Sequence, residues 1–188
     1  LAVAGALVAA WAGLRLAETL PPEHRRSLSP RAVARGLREV LTTRATAVPM
    51  VAMALTHGVV MAFVTSAQQV YQETFDVGAA FPLWFALIAL TMSVAAFGNA
   101  RLVRTLAPAA LARRALHVMI ATAGIMAALA ATDHLGLAAY EVLACVVLMG
   151  FGFVGSNLNA LAMESMGHLA GTASSVLGAV TTISAALF

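Results

Sequence analysis

No lysine occurs in this chain; its eleven basic residues are all arginine. Charge of either sign is scarce, at 10% of 188 residues. A soluble domain carries about a quarter of its residues charged, so a mainly water-facing surface is excluded. Cysteine is nearly absent as well. Cys145 stands alone within an apolar run, which leaves no disulfide framework inside the chain and reads as a packing residue. Metal-ligand spacing is missing among His24, His57, His117, His134 and His168, and neither a nucleophile elbow nor a pair of carboxylates is found. No catalytic residue, metal or cofactor is therefore expected.

What the chain has instead is apolar length. Hydrophobic residues make up 61% of it, and the mean hydropathy is +0.90. Uncharged stretches run Leu1–Leu14, Ala45–Gln72, Val77–Ala100, Ala115–Thr132, Val142–Met163 and Ser165–Phe188. A helical crossing needs about 20 apolar residues, and all but the first stretch meet that length. The first reads as the tail of a longer span, and the last runs to Phe188 with no polar tail. The expectation is an all-α, polytopic transmembrane bundle, incomplete at both ends. A signal peptide is a poor reading of the first stretch, which has no basic segment ahead of it.

The few charges are segregated. Arg15, Arg25, Arg26, Arg31, Arg35, Arg38 and Arg44 form one group, and Arg101, Arg104, Arg113 and Arg114 the other. The sequence pI near 10.0 thus reflects two loops rather than a nucleic-acid surface, which would set its basic residues beside exposed aromatics. Cytoplasmic loops of membrane proteins collect arginine, so both groups are placed inside the cell. Spans are expected at about 47–70, 81–100, 115–132, 142–163 and 172–188, with 1–20 ending an earlier one. The loops holding Glu73 and Asp76, and Asp133 and Glu141, then fall outside. Residues 21–46 make a cytoplasmic loop with a helix of its own: Ser29-Pro30 signals its start, and Val33, Leu37, Val40 and Leu41 recur at helical spacing opposite Arg31, Arg35 and Arg38. Such a helix suits the headgroup region, against the plainer reading of an extension of the next span.

Polar residues within spans are costly and point to a cavity or a partner helix. They concentrate in the second and fifth spans. His57, Met61, Thr65 and Gln68 share a helical face, and Ser156, Asn157 and Asn159 lie near glycines in the fifth. These are the substrate-cavity candidates, weighed against helix-to-helix bonding, which is the commoner role for a lone His57. Gly150-Phe151-Gly152-Phe153-Val154-Gly155 matches a dinucleotide fingerprint, but it lacks the strand before it and the acid after it. Small residues let helices approach closely, and Gly150, Gly152, Gly155, Gly171, Ser174 and Gly178 are expected to do so.

Three ordered segments then carry a resemblance. Glu18-Thr19-Leu20-Pro21-Pro22-Glu23-His24-Arg25, Asn99-Ala100-Arg101-Leu102-Val103-Arg104 and Gly171-Thr172-Ala173-Ser174-Ser175-Val176-Leu177-Gly178 resemble signatures of the bicyclomycin/chloramphenicol-resistance (Bcr/CflA) branch of the major facilitator superfamily. The resemblance covers essentially the whole chain and implies helices six to eleven of twelve. It places Asn99, Arg101 and Arg104 in a cytoplasmic turn. It also implies proton-coupled efflux of drugs from a bacterial inner membrane, with protons, small molecules, the bilayer and a missing N-terminal half as partners. Ser156 stands where the family usually has proline before the asparagine, and the coupling acid and arginine are expected in the other half. Open beside this reading are an importer or a sugar or nucleoside exporter of the same superfamily, and a membrane-embedded enzyme or scaffold subunit.

Overall fold

The computed structural model describes residues 2–15 and 29–187. The Glu18–Arg25 segment lies outside the described residues. The chain forms two units, Leu1–Ala34 and Arg35–Phe188.

In the first unit, helix α1 (Ala2–Arg15) is apolar and buries none of its residues. At 1.5 Å per residue its 14 residues reach about 21 Å, short of the roughly 30 Å of a hydrocarbon core. Helix α2 (Pro30–Thr42) begins here. The Ala32 backbone N–H donates to Ser29 Oγ at 3.3 Å, and Pro30, lacking an N–H, occupies a position where none is needed.

The second unit holds the rest of α2 and five helices: α3 (Arg44–Gln69), α4 (Phe81–Leu102), α5 (Pro108–Ala131), α6 (Leu137–Glu164) and α7 (Ala170–Leu187). With their flanking turns these are 31, 25, 24, 28 and 21 residues long, and all are apolar enough to cross a membrane. All but α7 outrun the apolar stretch that announces them. Arg44, Arg101, Arg113, Arg114 and Glu164 all sit inside helices, because the helical backbone continues through the headgroup layer, where charge is tolerated. Asn99 and Arg101 are likewise in the last turns of α4 and not in a loop, whereas Arg104 is in the turn that follows.

The helix ends are closed locally. Past Gln69, α3 widens into a π-helical turn, Val70–Thr74, in which the Phe75 N–H reaches back to the Val70 carbonyl at 3.3 Å. Asp76 follows at φ 50°. After α5, Asp133 adopts φ 58°. Its N–H bonds the Ala130 carbonyl, and the His134 N–H bonds that of Leu129, at 3.2 and 2.9 Å. This pair of bonds satisfies two carbonyls the helix would otherwise leave open. Aspartate is among the few non-glycine residues that enter this left-handed region readily.

Helix α6 is the centre of the unit and packs against α3, α4 and α5, while α7 packs chiefly on α3. The glycine doublet explains how one helix serves neighbours on two sides. Positions 150 and 152 are about 200° apart around a helix. A Cβ on Gly150 would lie 2.3 Å from Met119 Cγ of α5, and one on Gly152 would lie 3.2 Å from the Ala95 Cβ of α4. By contrast a Cβ on Gly155, Gly171 or Gly178 would meet nothing within 4 Å among the described residues, and Ser174 is exposed. These four therefore make no close approach to the helices described. Those on α7 lie away from Ala173, Val176 and Leu177, the side that α7 buries.

The interior divides into three clusters, named inner, outer and lateral for the orientation expected from the arginines. At one end Val40 of α2 packs with Met50, Ala162, Met166, Leu169 and Ala173. At the other Tyr71, Tyr140, Ala144 and Cys145 gather with Phe75, Phe81 and Phe85 around them. Ala112, Met119, Val147, Val154 and Leu158 join α5 to α6. Much of the surface along the spans is apolar, with Val48, Val51, Leu55, Leu83, Leu90, Val94, Phe97, Ile120 and Ile125 all exposed. Water would not tolerate such a continuous surface on a monomer; hydrocarbon does.

Gly152→Leu should force α4 off α6 and lower stability by about 1–3 kcal/mol, whereas Gly155→Leu should change it little. Thermal unfolding of both variants in detergent checks this. Equal stability of the two would mean that the close approach at Gly152 is not needed.

Candidate functional site

Two kinds of polar side chain occupy the spans, and burial separates them. The first kind joins helices. Asn157, 2% exposed, donates from Nδ2 to Asn99 Oδ1 of α4 at 2.6 Å and to the Phe153 carbonyl at 2.7 Å. It stands between two helices and not on an open face of the described residues. The cause is geometric: Asn99 on the last turns of α4 faces it, and two amides in an apolar contact satisfy each other. Thr46 and Ser165 pair at 2.7 Å between α3 and the end of α6. Ser184 of α7 donates to the Ala54 carbonyl of α3.

The most buried of these ties escaped the sequence. Glu141 was assigned to an outer loop because the uncharged run begins at Val142. The helix begins earlier, at Leu137, and Glu141 is 3% exposed. The Tyr71 hydroxyl donates to Glu141 Oε2, and Cys145 Sγ lies 3.7 Å from Oε1. Tyr71 itself is fully buried. Its ring meets Tyr140 edge-on at 5.4 Å and Phe81 at 5.7 Å. Among the described residues no cation pairs with Glu141, since the one ion-pair contact is His168 with Glu39. The available signal was the spacing of Glu141, Ala144, Cys145 and Leu148, which continues the buried face of α6 upstream of the charge.

The second kind is open. On the outer half of α3, Thr65, Gln68, Gln69, Gln72 and Glu73 line an open pocket of about 340 Å³. Gln69 Nε2 donates to Glu73 Oε2 at 3.0 Å, while Gln68 and Gln72 are exposed with no partner for their amides among the described residues. Thr65 is exposed but returns its hydroxyl to the Met61 carbonyl at 2.8 Å. On α6, Ser156 and Asn159 are exposed three residues apart, on one face. Ser156 bonds the Gly152 carbonyl at 3.1 Å, and the Asn159 amide has no partner among the described residues.

His57 and Met61 are half-buried. The imidazole lies 5.9 Å from the Phe151 ring of α6, and Met61 packs against the outer cluster. The four residues expected to share one face of α3 therefore grade from packed at mid-helix to open at the outer end. No group of three metal-ligating side chains occurs among the described residues.

The family model described as Major Facilitator Superfamily matches residues 1–188. No curated protein and no solved structure matches the chain.

If Asn157 joins helices, Asn157→Leu strands the Asn99 carbonyl oxygen and should lower stability by about 1–2 kcal/mol, while Asn159→Leu should be nearly silent. Glu141→Leu should destabilise for the same reason, and Glu141→Gln, which keeps an acceptor for Tyr71, should recover most of the loss. Unfolding curves of the four variants decide it. An Asn157→Leu protein as stable as the parent would break the assignment.

Proposed function

The chain belongs to the Major Facilitator Superfamily, and from that premise we propose that it exports drugs or other small molecules in exchange for protons. Members of this superfamily are membrane transporters rather than enzymes, and five membrane-length helices make the chain a multi-pass membrane protein. The narrower reading rests on the resemblance to the Bcr/CflA branch, which also suggests a bacterial inner membrane. The proton gradient would then be the energy source, with no cofactor.

One observation carries the reading. Primary amides at membrane depth need partners, since hydrocarbon offers none. Gln68 and Asn159 have none among the described residues, yet they share their spans with exposed Val48, Val51, Leu55, Val59 and Val64 on α3 and Val142 on α6. We assign the open faces of α3 and α6 to a water-filled path between this half-bundle and a second one in the same protein. In that arrangement α5 faces lipid, and alternating access rocks one half against the other. His57 and Met61, at the inner end of the same face of α3, and Thr65 and Ser156 complete the proposed lining. A broad-specificity site on such a lining engages each substrate through a different subset of contacts.

The test uses the full-length protein in vesicles with an imposed pH gradient. Drug movement against its own gradient, abolished by collapsing the pH gradient, is the expected result. Uptake independent of the pH gradient would remove proton exchange, and movement only toward the inside would reverse the direction. Gln68→Leu, His57→Leu and Asn159→Leu should change transport of several drugs unevenly, by about 3-fold to 30-fold for some and little for others, after normalising to folded protein. That range corresponds to about 0.6–2 kcal/mol, the strength of one or two hydrogen bonds. A uniform loss that vanishes on normalisation would move these residues out of the path.

Orientation has its own test. In a Cys145→Ala background, single cysteines at Glu73 and at Arg104 should react with an impermeant maleimide from opposite sides. Reaction of both from outside would overturn the inside placement of the arginines.

A further inference from the structure

Helix α2 divides its length into three stripes. Gly36 and Val40 are buried: a Cβ on Gly36 would sit 3.4 Å from Leu169, and Val40 is 0% exposed within the inner cluster. Glu39 Oε1, beside them, accepts from His168 Nε2 at 2.8 Å, which ties the helix to the turn between α6 and α7. One face is thus committed to protein. A second stripe is not: Leu37 and Leu41, four residues apart, are 41% and 49% exposed. Arg35 and Arg38, three apart, form the third, and both are exposed without an ion pair among the described residues. Arg44, also exposed and unpaired, opens the next span.

Position limits what can cover the free stripes. Only Thr43, in an extended conformation, separates α2 from the membrane-spanning α3. The helix therefore lies within one residue's reach of the bilayer surface. Its single acid is engaged by His168, so the face beside the leucines is purely cationic. Leucine beside arginine on a helix held at that depth matches a surface of acyl chains below and phosphates above. A protein partner would need no such charge, and a zwitterionic surface would leave it unanswered.

We propose that Arg35, Arg38 and Arg44, with Leu37 and Leu41, form a docking surface for anionic phospholipid, fastened on its other side to α6 and α7 through Gly36, Val40 and Glu39–His168. The charge of the leaflet then bears directly on the ends of the spans that α2 touches. This inference needs only a membrane protein, so it stands or falls apart from the transport reading.

The experiment places a cysteine-reactive bimane on a Leu37→Cys variant of the full-length protein, with Cys145 replaced by Ala. The protein is set in phosphatidylcholine vesicles holding equal mole fractions of either spin-labelled phosphatidylglycerol or spin-labelled phosphatidylcholine. Quenching by the anionic lipid should exceed that by the zwitterionic one at least two-fold. The excess should fade in R35Q/R38Q and shrink as salt shortens the reach of the charges. Equal quenching by both lipids, or an excess unmoved by R35Q/R38Q, would overturn the proposal, as would the absence of quenching by either. Loss of the excess on adding millimolar inorganic phosphate would also overturn it, assigning the arginines to a free anion. Circular dichroism of the double variant confirms that it is folded before it is compared.

Discussion

A backbone inside hydrocarbon has no water to bond, so each peptide group must find its partner within its own helix. The rest of this structure follows from that demand. Five helices run the thickness of a membrane, and their irregularities are confined to places where the freed groups are met. Pro49 lies near the start of α3, where headgroups and water can serve the carbonyl it orphans. The π-helical turn lies at the other end of the same helix, and Asp76 and Asp133 close their helices in the outer turns. Side-chain hydroxyls obey the same constraint. Thr56, Thr65, Ser66, Ser156, Thr181 and Thr182 all return their protons to carbonyls one turn back.

Once the backbone is satisfied, packing has to come from shape, because lipid tails are as apolar as the helices. Helix α6 meets this need with glycines facing α5 and α4 from its two sides, and it can therefore sit among three neighbours at once. Shape alone does not fix register along a smooth apolar helix. The polar ties do, one near each end of α6: Glu141 with Tyr71 on the outer side, and Asn157 with Asn99 on the inner. Thr46 with Ser165 adds a third tie beyond the last turn. A slip of one turn at any of these points would leave a buried polar group without its partner.

How much of this was legible in the sequence depends on whether the signal was local. The spans were, since five uncharged runs each became a helix. The start of α2 was legible too, because Ser29-Pro30 is a capping signal complete in itself. The free stripe of α2 followed from periodicity, but its docked stripe did not, since Gly36 has no side chain to register in an apolar pattern. The burial of Glu141 and the partner of Asn157 escape the sequence for a related reason. A charge normally ends a span, and an asparagine in a span normally invites a cavity. Whether either rule holds depends on what a helix distant in sequence presents, here Tyr71 and Asn99. The Glu18–Arg25 segment, which carries part of the family resemblance, lies outside the described residues.

The same partner question separates the residues that hold the bundle from those that mark a path through it. Hydroxyls are poor guides, since each can satisfy itself on its own helix and sit equally well against lipid, protein or water. Carboxamides are better guides. An amide side chain carries two donors and an acceptor with two lone pairs, more than one carbonyl a turn back can meet. Asn157 shows what a protein does with such a group inside a contact: one bond goes to Phe153 of its own helix and the other to Asn99 across the gap. Gln69 shows the alternative at the surface, with its bond to Glu73 at the outer end of α3. Gln68, Gln72 and Asn159 have neither arrangement. That leaves water or a polar partner to answer them, and in the transport reading proposed above the path between the two halves would supply it. Serine and threonine content would have ranked α7 beside α3. The unpartnered amides distinguish them, and they point to α3 and α6.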